Sequence, residues 1–109
     1  MANIYKVLAQ TIPSATTATT LYTCATANGA VASTLTICNQ GTLATNVRVA
    51  VRPAGAALAA EQYIMYDVFV NSTDTLFLTI GLSLANTDVV TVYAGTNTVS
   101  FNLFGSEIS

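Results

Sequence analysis

Apolar and polar residues alternate with period two along almost the whole chain, in runs of five to nine residues rich in β-branched side chains, Tyr and Phe. No segment keeps a helical apolar stripe for three turns. Turn residues separate the runs, which predict eight short strands over residues 4–11, 19–25, 31–39, 46–52, 62–70, 75–80, 89–94 and 98–104.

The breaks between runs have local causes. Ile12-Pro13 ends the first, because proline cannot donate to a central ladder. Asn28-Gly29 reads as a type I′ hairpin turn joining the second and third runs. That register sets Cys24 opposite Ser33 and Cys38 opposite Thr19, so the two cysteines are expected as reduced thiols. In the third run Val31, Leu35 and Ile37 share one side and Thr34, Thr36 and Cys38 the other. The fourth is the cleanest: Val47, Val49 and Val51 face inward, Arg48, Ala50 and Arg52 outward, and Pro53 stops it. The Ala-rich stretch 54–60 reads as a loop. Leu76, Leu78 and Ile80 point inward before Gly81 breaks the sixth run, and residues 82–88 read as a connection. In the last run Val99, Phe101 and Leu103 share a face.

The run 62–70 differs, since Tyr63, Met65 and Phe69 fall on one side and Ile64, Tyr66, Val68 and Val70 on the other, so both sides are apolar. One side meets the core; the other is covered by a loop or by a second subunit. Ile64, Tyr66 and Val68, together with Arg48, Arg52 and Phe104, are the candidate subunit contact.

A chain of 109 residues suits one hydrophobic core. Eight short strands at regular spacing with turns between them predict an all-β fold: a single-domain antiparallel β-sandwich, jelly-roll-like, over residues 1–109.

Composition sharpens the picture. Only 7% of residues are charged and 52% are hydrophobic, against roughly 25% charged in an ordinary domain. The surface must therefore be largely Thr, Ala, Asn, Ser and Gly, which lose little hydration when a neighbour covers them. A net charge of −2 gives little colloidal protection, as fits a chain packed against other subunits. Lys6, Arg48 and Arg52 are the whole basic complement, too few for a phosphate-tracking surface, so no nucleic-acid partner is expected. No apolar stretch approaches the ~20 residues of a membrane helix. Residues 1–6 lack the pattern of a secretory leader, so folding in the cytosol is expected.

Catalytic chemistry finds no foothold. The chain contains no histidine, which removes the commonest base for activating a nucleophile and, with two cysteines only, the usual zinc sets. Glu61, Asp67, Asp74, Asp88 and Glu107 are scattered rather than paired as a glycosidase requires. Asp74 and Asp88 stand just ahead of strands, where aspartate fixes turns. Tyr5, Tyr22, Tyr63, Tyr66 and Tyr93 serve packing or, alternatively, a sugar-binding face. No enzyme activity, cofactor or metal is expected.

Several segments carry a resemblance. Residues 5–10 (YKVLAQ), Leu21-Tyr22-Thr23, residues 33–39 (STLTICN), residues 48–57 (RVAVRPAGAA), residues 87–93 (TDVVTVY) and residues 100–108 (SFNLFGSEI) are similar to small virion structural proteins of tailed bacteriophages, including those of cyanobacteria. The resemblance spans nearly the whole chain and implies a particle component assembled in the host cytoplasm. It supplies no functional residue. The implied role is a capsid decoration or cement protein, oligomeric and expected as a trimer, seated on the major capsid protein. A tail, neck, baseplate or fibre component, or a host-glycan-binding tip, are the alternatives, with other virion proteins as partners.

Overall fold

The computed structural model describes residues 2–108. Nine strands form among them: β1 (Asn3–Thr11), β2 (Thr19–Thr23), β3 (Ala30–Asn39), β4 (Thr45–Arg52), β5 (Tyr63–Val70), β6 (Thr75–Leu78), β7 (Leu82–Leu84), β8 (Val89–Ala94) and β9 (Val99–Ile108). Short 3-10 turns at Pro53–Gly55 and Ala60–Gln62 bracket the Ala-rich loop.

The pairings are all antiparallel, β1 with β9, β2 with β8, β3 with β6 and β7, and β4 with β5. They describe one long strip of strand pairs that turns back between β4 and β5. Wrapping the strip brings β3 against β9 and β4 against β8. Two sheets result, one ordered β1-β9-β3-β6 with β7 also on β3, the other β2-β8-β4-β5. This is a jelly roll. The expected sandwich stands, with its sixth strand shortened to Thr75–Leu78 and an additional strand, β7, within residues 82–88, which were expected to be a connection. Gly81, at φ 60°, breaks the strand, and the three residues of β7 are too few to show a period in sequence.

Wrapping also corrects the expected hairpin. β2 and β3 lie in different sheets, so Asn28-Gly29 carries the chain across the sandwich and does not close a two-residue turn. Only Gly29 has positive φ, and a Cβ there would meet the Leu84 carbonyl oxygen at 2.6 Å. Cys24 therefore does not face Ser33. It is buried, Cys38 lies on the outer side of β3, and both are free thiols.

Bulges account for the other differences. Ser33 is an extra residue between the Ala32–Gly105 and Thr34–Phe104 pairs, and Leu8 is its counterpart on β1. An extra residue flips everything beyond it to the other face. Ala30 and Ala32 are consequently buried and Val31 is exposed, contrary to the simple alternation. Gly105 of β9 sits beside this bend, where a Cβ would come within 2.1 Å of the Val31 carbonyl oxygen.

Between the sheets lie Phe101, Leu103 and Val99 of β9, Leu35 and Ile37 of β3, Val47 and Val49 of β4, and Val90 and Val92 of β8. Each large side chain among them contributes about 1.5–3 kcal/mol by burial. Val47 and Val49 face inward as expected, while Val51 is only partly buried and Ala50, on the outer side, is covered. Asn39 is the polar exception, fully buried at the end of β3. Its Nδ2 donates to the carbonyls of Leu43 (2.9 Å) and Val70 (3.1 Å), and its Oδ1 accepts from Gly41 N (2.9 Å) and Thr98 Oγ1 (3.0 Å). All four capacities of the amide are used.

Candidate interaction surface

On the outer face of the four-stranded sheet, strand register places Arg48 of β4 beside Tyr93 of β8. The guanidinium lies between two rings, 4.3 Å from the Tyr66 centroid and 4.4 Å from that of Tyr93. Asp67 clamps it from the edge strand, with Nε to Oδ1 at 2.6 Å and Nη2 to Oδ2 at 3.2 Å, and Asn46 Nδ2 donates to the same Oδ1 at 2.9 Å. Hydrogen bonds from Arg48 and then Asn46 hold the Asp67 carboxyl below the usual range. A planar fork matched to a carboxylate and stacked on aromatic faces is the arrangement only arginine supports.

Local backbone makes this cluster possible. Asp67 has φ 52°, in the left-handed region, and sits with Tyr66 in a bulge opposite Arg48. A second bulge at Ile64 separates the Met65–Val49 and Tyr63–Ala50 pairs. These two insertions rearrange the faces expected for β5. Met65, Val68 and Val70 pair with inward-facing Val49, Val47 and Thr45, whereas Tyr63 and Phe69 pair with outward Ala50 and Asn46. Tyr66 joins the outer group through Arg48 and through an edge-on contact with Tyr63 at 5.0 Å.

The six expected contact residues thus divide. Arg48 and Tyr66 come together, with exposed Ile64 on the neighbouring bulge. Val68 lies on the inner side of its sheet at the uncovered edge. Arg52 binds its own loop, donating from Nε to Ala56 O (2.7 Å) and from Nη2 to Gly55 O (3.0 Å). Phe104 stands on the outer face of the other sheet, paired with Val7 and Thr34. Sequence reasoning missed Asp67 and Tyr93, whose roles depend on a bulge and on non-local pairing.

Beside the cluster, Leu58, Ala59, Ala60, Tyr63 and Tyr66 line an open cleft of about 550 Å³. Gln62 shapes its rim by accepting from Ala59 N at 2.9 Å and donating to Ala57 O at 3.1 Å. A second open cleft, about 440 Å³, lies between residues 27–31 and residues 83–86. Asp88 at its margin is engaged, accepting from Ala54 N and Ala85 N at 2.9 Å each, so it fixes two turns rather than only its own. Asp74 accepts from the following Thr75 N at 2.8 Å, the turn role expected of it. Among the described residues no three His, Cys, Asp or Glu side chains gather as a metal set. Among the described residues no helix is long and apolar enough to cross a membrane.

The surface is chiefly neutral, with exposed Tyr5, Phe69, Phe77 and Leu43. No protein-family model matches the chain, and no curated protein sequence was found to be similar to it.

Proposed function

We propose that this domain is a non-enzymatic structural subunit of a virus particle, a decoration or cement protein that oligomerises on the shell and stabilises it. One observation carries the reading: the few charged side chains are engaged within the domain. Lys6 pairs with Glu107 at 2.9 Å, Arg48 with Asp67, Arg52 with its loop carbonyls, and Asp74 and Asp88 with turn amides, which leaves Glu61. Little ionic hydration then opposes covering the surface, and interface centres are depleted in charge for the same reason.

Two further features support it. Jelly rolls recur in viral shells, a fold-level analogy, and a particle component is also what the resemblance drawn from the sequence implies. The Arg48–Tyr66–Tyr93 cluster and the cleft beside it suit a partner other than the domain itself, the shell subunit beneath. The same cleft favours one second reading, a glycan-binding tip, because lectin domains share the fold and Tyr63 and Tyr66 offer ring faces and hydroxyls. Tail, neck or baseplate placement uses the same surfaces in rings or fibres.

Quantitative mass spectrometry of gradient-purified particles tests the proposal. A shell protein is present on the order of hundreds of copies and a tail or tip protein at roughly a dozen, as the symmetry of each assembly dictates. Absence of the chain from purified particles overturns both.

A further inference from the structure

Resting on the assembly reading above, we infer that the outer face of the five-stranded sheet is a self-association surface, and that its occupant is the same face of a second copy related by a two-fold axis. Strand register assigns each position of β1, β9, β3, β6 and β7 to one side of this sheet. Every residue that falls on the outer side is uncharged. Tyr5, Val7, Val31, Phe77 and Phe104 supply most of its apolar area, with Tyr5 80% and Phe77 73% exposed, and Ser, Thr, Asn, Gln, Cys38 and Ile108 fill the remainder. Lys6 and Glu107, which belong to the same strands, turn to the opposite side and pair with each other.

Charge decides the partner. In a two-fold contact, residues near the axis meet their own copies, so any charge there meets a like charge. A face without charges escapes that penalty. The outer face of the other sheet does not, since it carries Arg48, Arg52 and Asp67. A head-to-tail contact of one face on the other would still strip the remaining water from the partly exposed Arg48–Asp67 pair and offer it only neutral side chains in return. Self-pairing of the neutral face avoids both costs, and two twisted sheets pack face to face at about −30°.

Size agrees. Ten-residue strands rise about 33 Å, and four strands abreast span about 19 Å, which gives a footprint of about 600 Å² per copy. Two copies then bury about 1,200 Å², the lower end of the range for stable interfaces. Edge-to-edge pairing is less suited. β1 carries a bulge at Leu8 and a lysine, β5 carries two bulges, and β2, β6 and β7 are short, all features that discourage strand addition.

Sedimentation equilibrium of the purified chain, from about 1 to about 500 µM, tests the inference at and beyond the weak, micromolar end of the affinities of such interfaces. The native chain is expected at twice its 11.3 kDa mass. Thr36→Lys, which sets a charge in the middle of the face beside Phe77, is expected to weaken association by about 100-fold or more with an unchanged far-UV spectrum. Phe77→Lys on β6 is the second variant, should the first fail to fold. Phe69→Asp, on the opposite face, is expected to keep the dimer. A monomer throughout the range, a three-fold mass, or a dimer broken by Phe69→Asp and kept by the two lysine variants overturns the inference. None of these results removes the chain from purified particles, so the copy-number measurement judges the assembly reading separately.

Discussion

The hydroxyl of Tyr22 on β2 donates a 2.6 Å hydrogen bond to Glu107 Oε2 on β9, joining the two sheets near one open edge of the sandwich. Lys6 of β1 binds the other carboxylate oxygen at 2.9 Å. Three strands from two sheets therefore converge on one acid. This polar junction ties the edge strands β1 and β2 of the two sheets to β9.

The junction makes stability depend on pH at both ends. Hydrogen bonds from Tyr22 and then Lys6 hold the Glu107 carboxyl below its usual range. Its stabilisation is complete above the ordinary glutamate value of about 4.3 and is lost as pH falls through the depressed folded value. For Tyr22, burial and then the bond to Glu107 raise the phenol. Its contribution is complete below about 10, where the unfolded chain begins to ionise, and is lost as pH rises. Thermal melts across pH are expected to show a plateau that falls on both sides. Tyr22→Phe costs about 1–2 kcal/mol on the plateau, removes its own part of the alkaline fall and reduces the acid one, which Asp67 partly sustains. An unchanged alkaline limb would show that the phenol does not matter.

A second prediction concerns Asn39. Its amide satisfies groups on β9's leading turn, on the loop after β3 and on β5 of the opposite sheet. Asn39→Leu keeps the volume and leaves the Val70 and Leu43 carbonyls and the Gly41 amide without that partner. The Val70 carbonyl is buried and the other two groups are partly so; at about 1–3 kcal/mol for each buried orphan, a loss of about 3 kcal/mol is expected in urea unfolding. Asn39→Asp is expected to be no better, because a carboxylate would face two carbonyl oxygens. A loss below about 1 kcal/mol for both would mean that water replaces the amide without cost.

These two sites show what local pattern reveals and what it hides. The alternation of Val47 and Val49 is legible because β4 is regular there, and Phe101 and Leu103 are legible for the same reason. Val31 is not, since the bulge at Ser33 inverts the faces of β3 and leaves no mark in the order of apolar residues. The same holds for β5, where Ile64 and Asp67 each displace the register. Gly29 signals a turn correctly, but whether the chain turns within a sheet or crosses to the other depends on β8 and β9, far along the sequence. Asn39 looks like the polar end of a strand, and although Gly41 and Leu43 are 2 and 4 residues away, its partners Val70 and Thr98 are 31 and 59 residues away, where no window can see them. At the candidate surface Arg48 and Tyr66 were visible as an outward cation and an unpartnered aromatic, while Asp67 and Tyr93 needed the fold.

Gly105 gives a third prediction, on the backbone approach at the paired bulges. Beyond the 2.1 Å contact with the Val31 carbonyl oxygen, an added Cβ would lie 2.7 Å from Ala32 Cα. Both are backbone atoms of a central strand, so nothing flexible can move aside. Gly105→Ala is expected to destabilise by about 3 kcal/mol, the upper end for overpacking, and to speed amide exchange most on β3 near Ser33. A neutral substitution would mean that the bend between Leu8 and Ser33 is freer than the register implies.

The last prediction separates the geometry of Arg48 from its charge. Lysine at this position keeps the cation but loses the two-pronged bond to Asp67 and the flat surface that lies between Tyr66 and Tyr93. With the fork gone, Asp67 keeps only the bond from Asn46, and its carboxyl should return toward the ordinary range. Arg48→Lys is therefore expected to leave the far-UV spectrum and the mass of the oligomer unchanged. It should diminish the near-UV circular dichroism of the tyrosines, because two rings lose the plane that orders them. Raising salt should shift the native chain's signal much less, since stacking and a bidentate contact at 2.6 Å depend on shape as well as charge. A near-UV spectrum unaffected by the substitution would mean that the rings are held by their strands alone, and that the guanidinium merely rests between them.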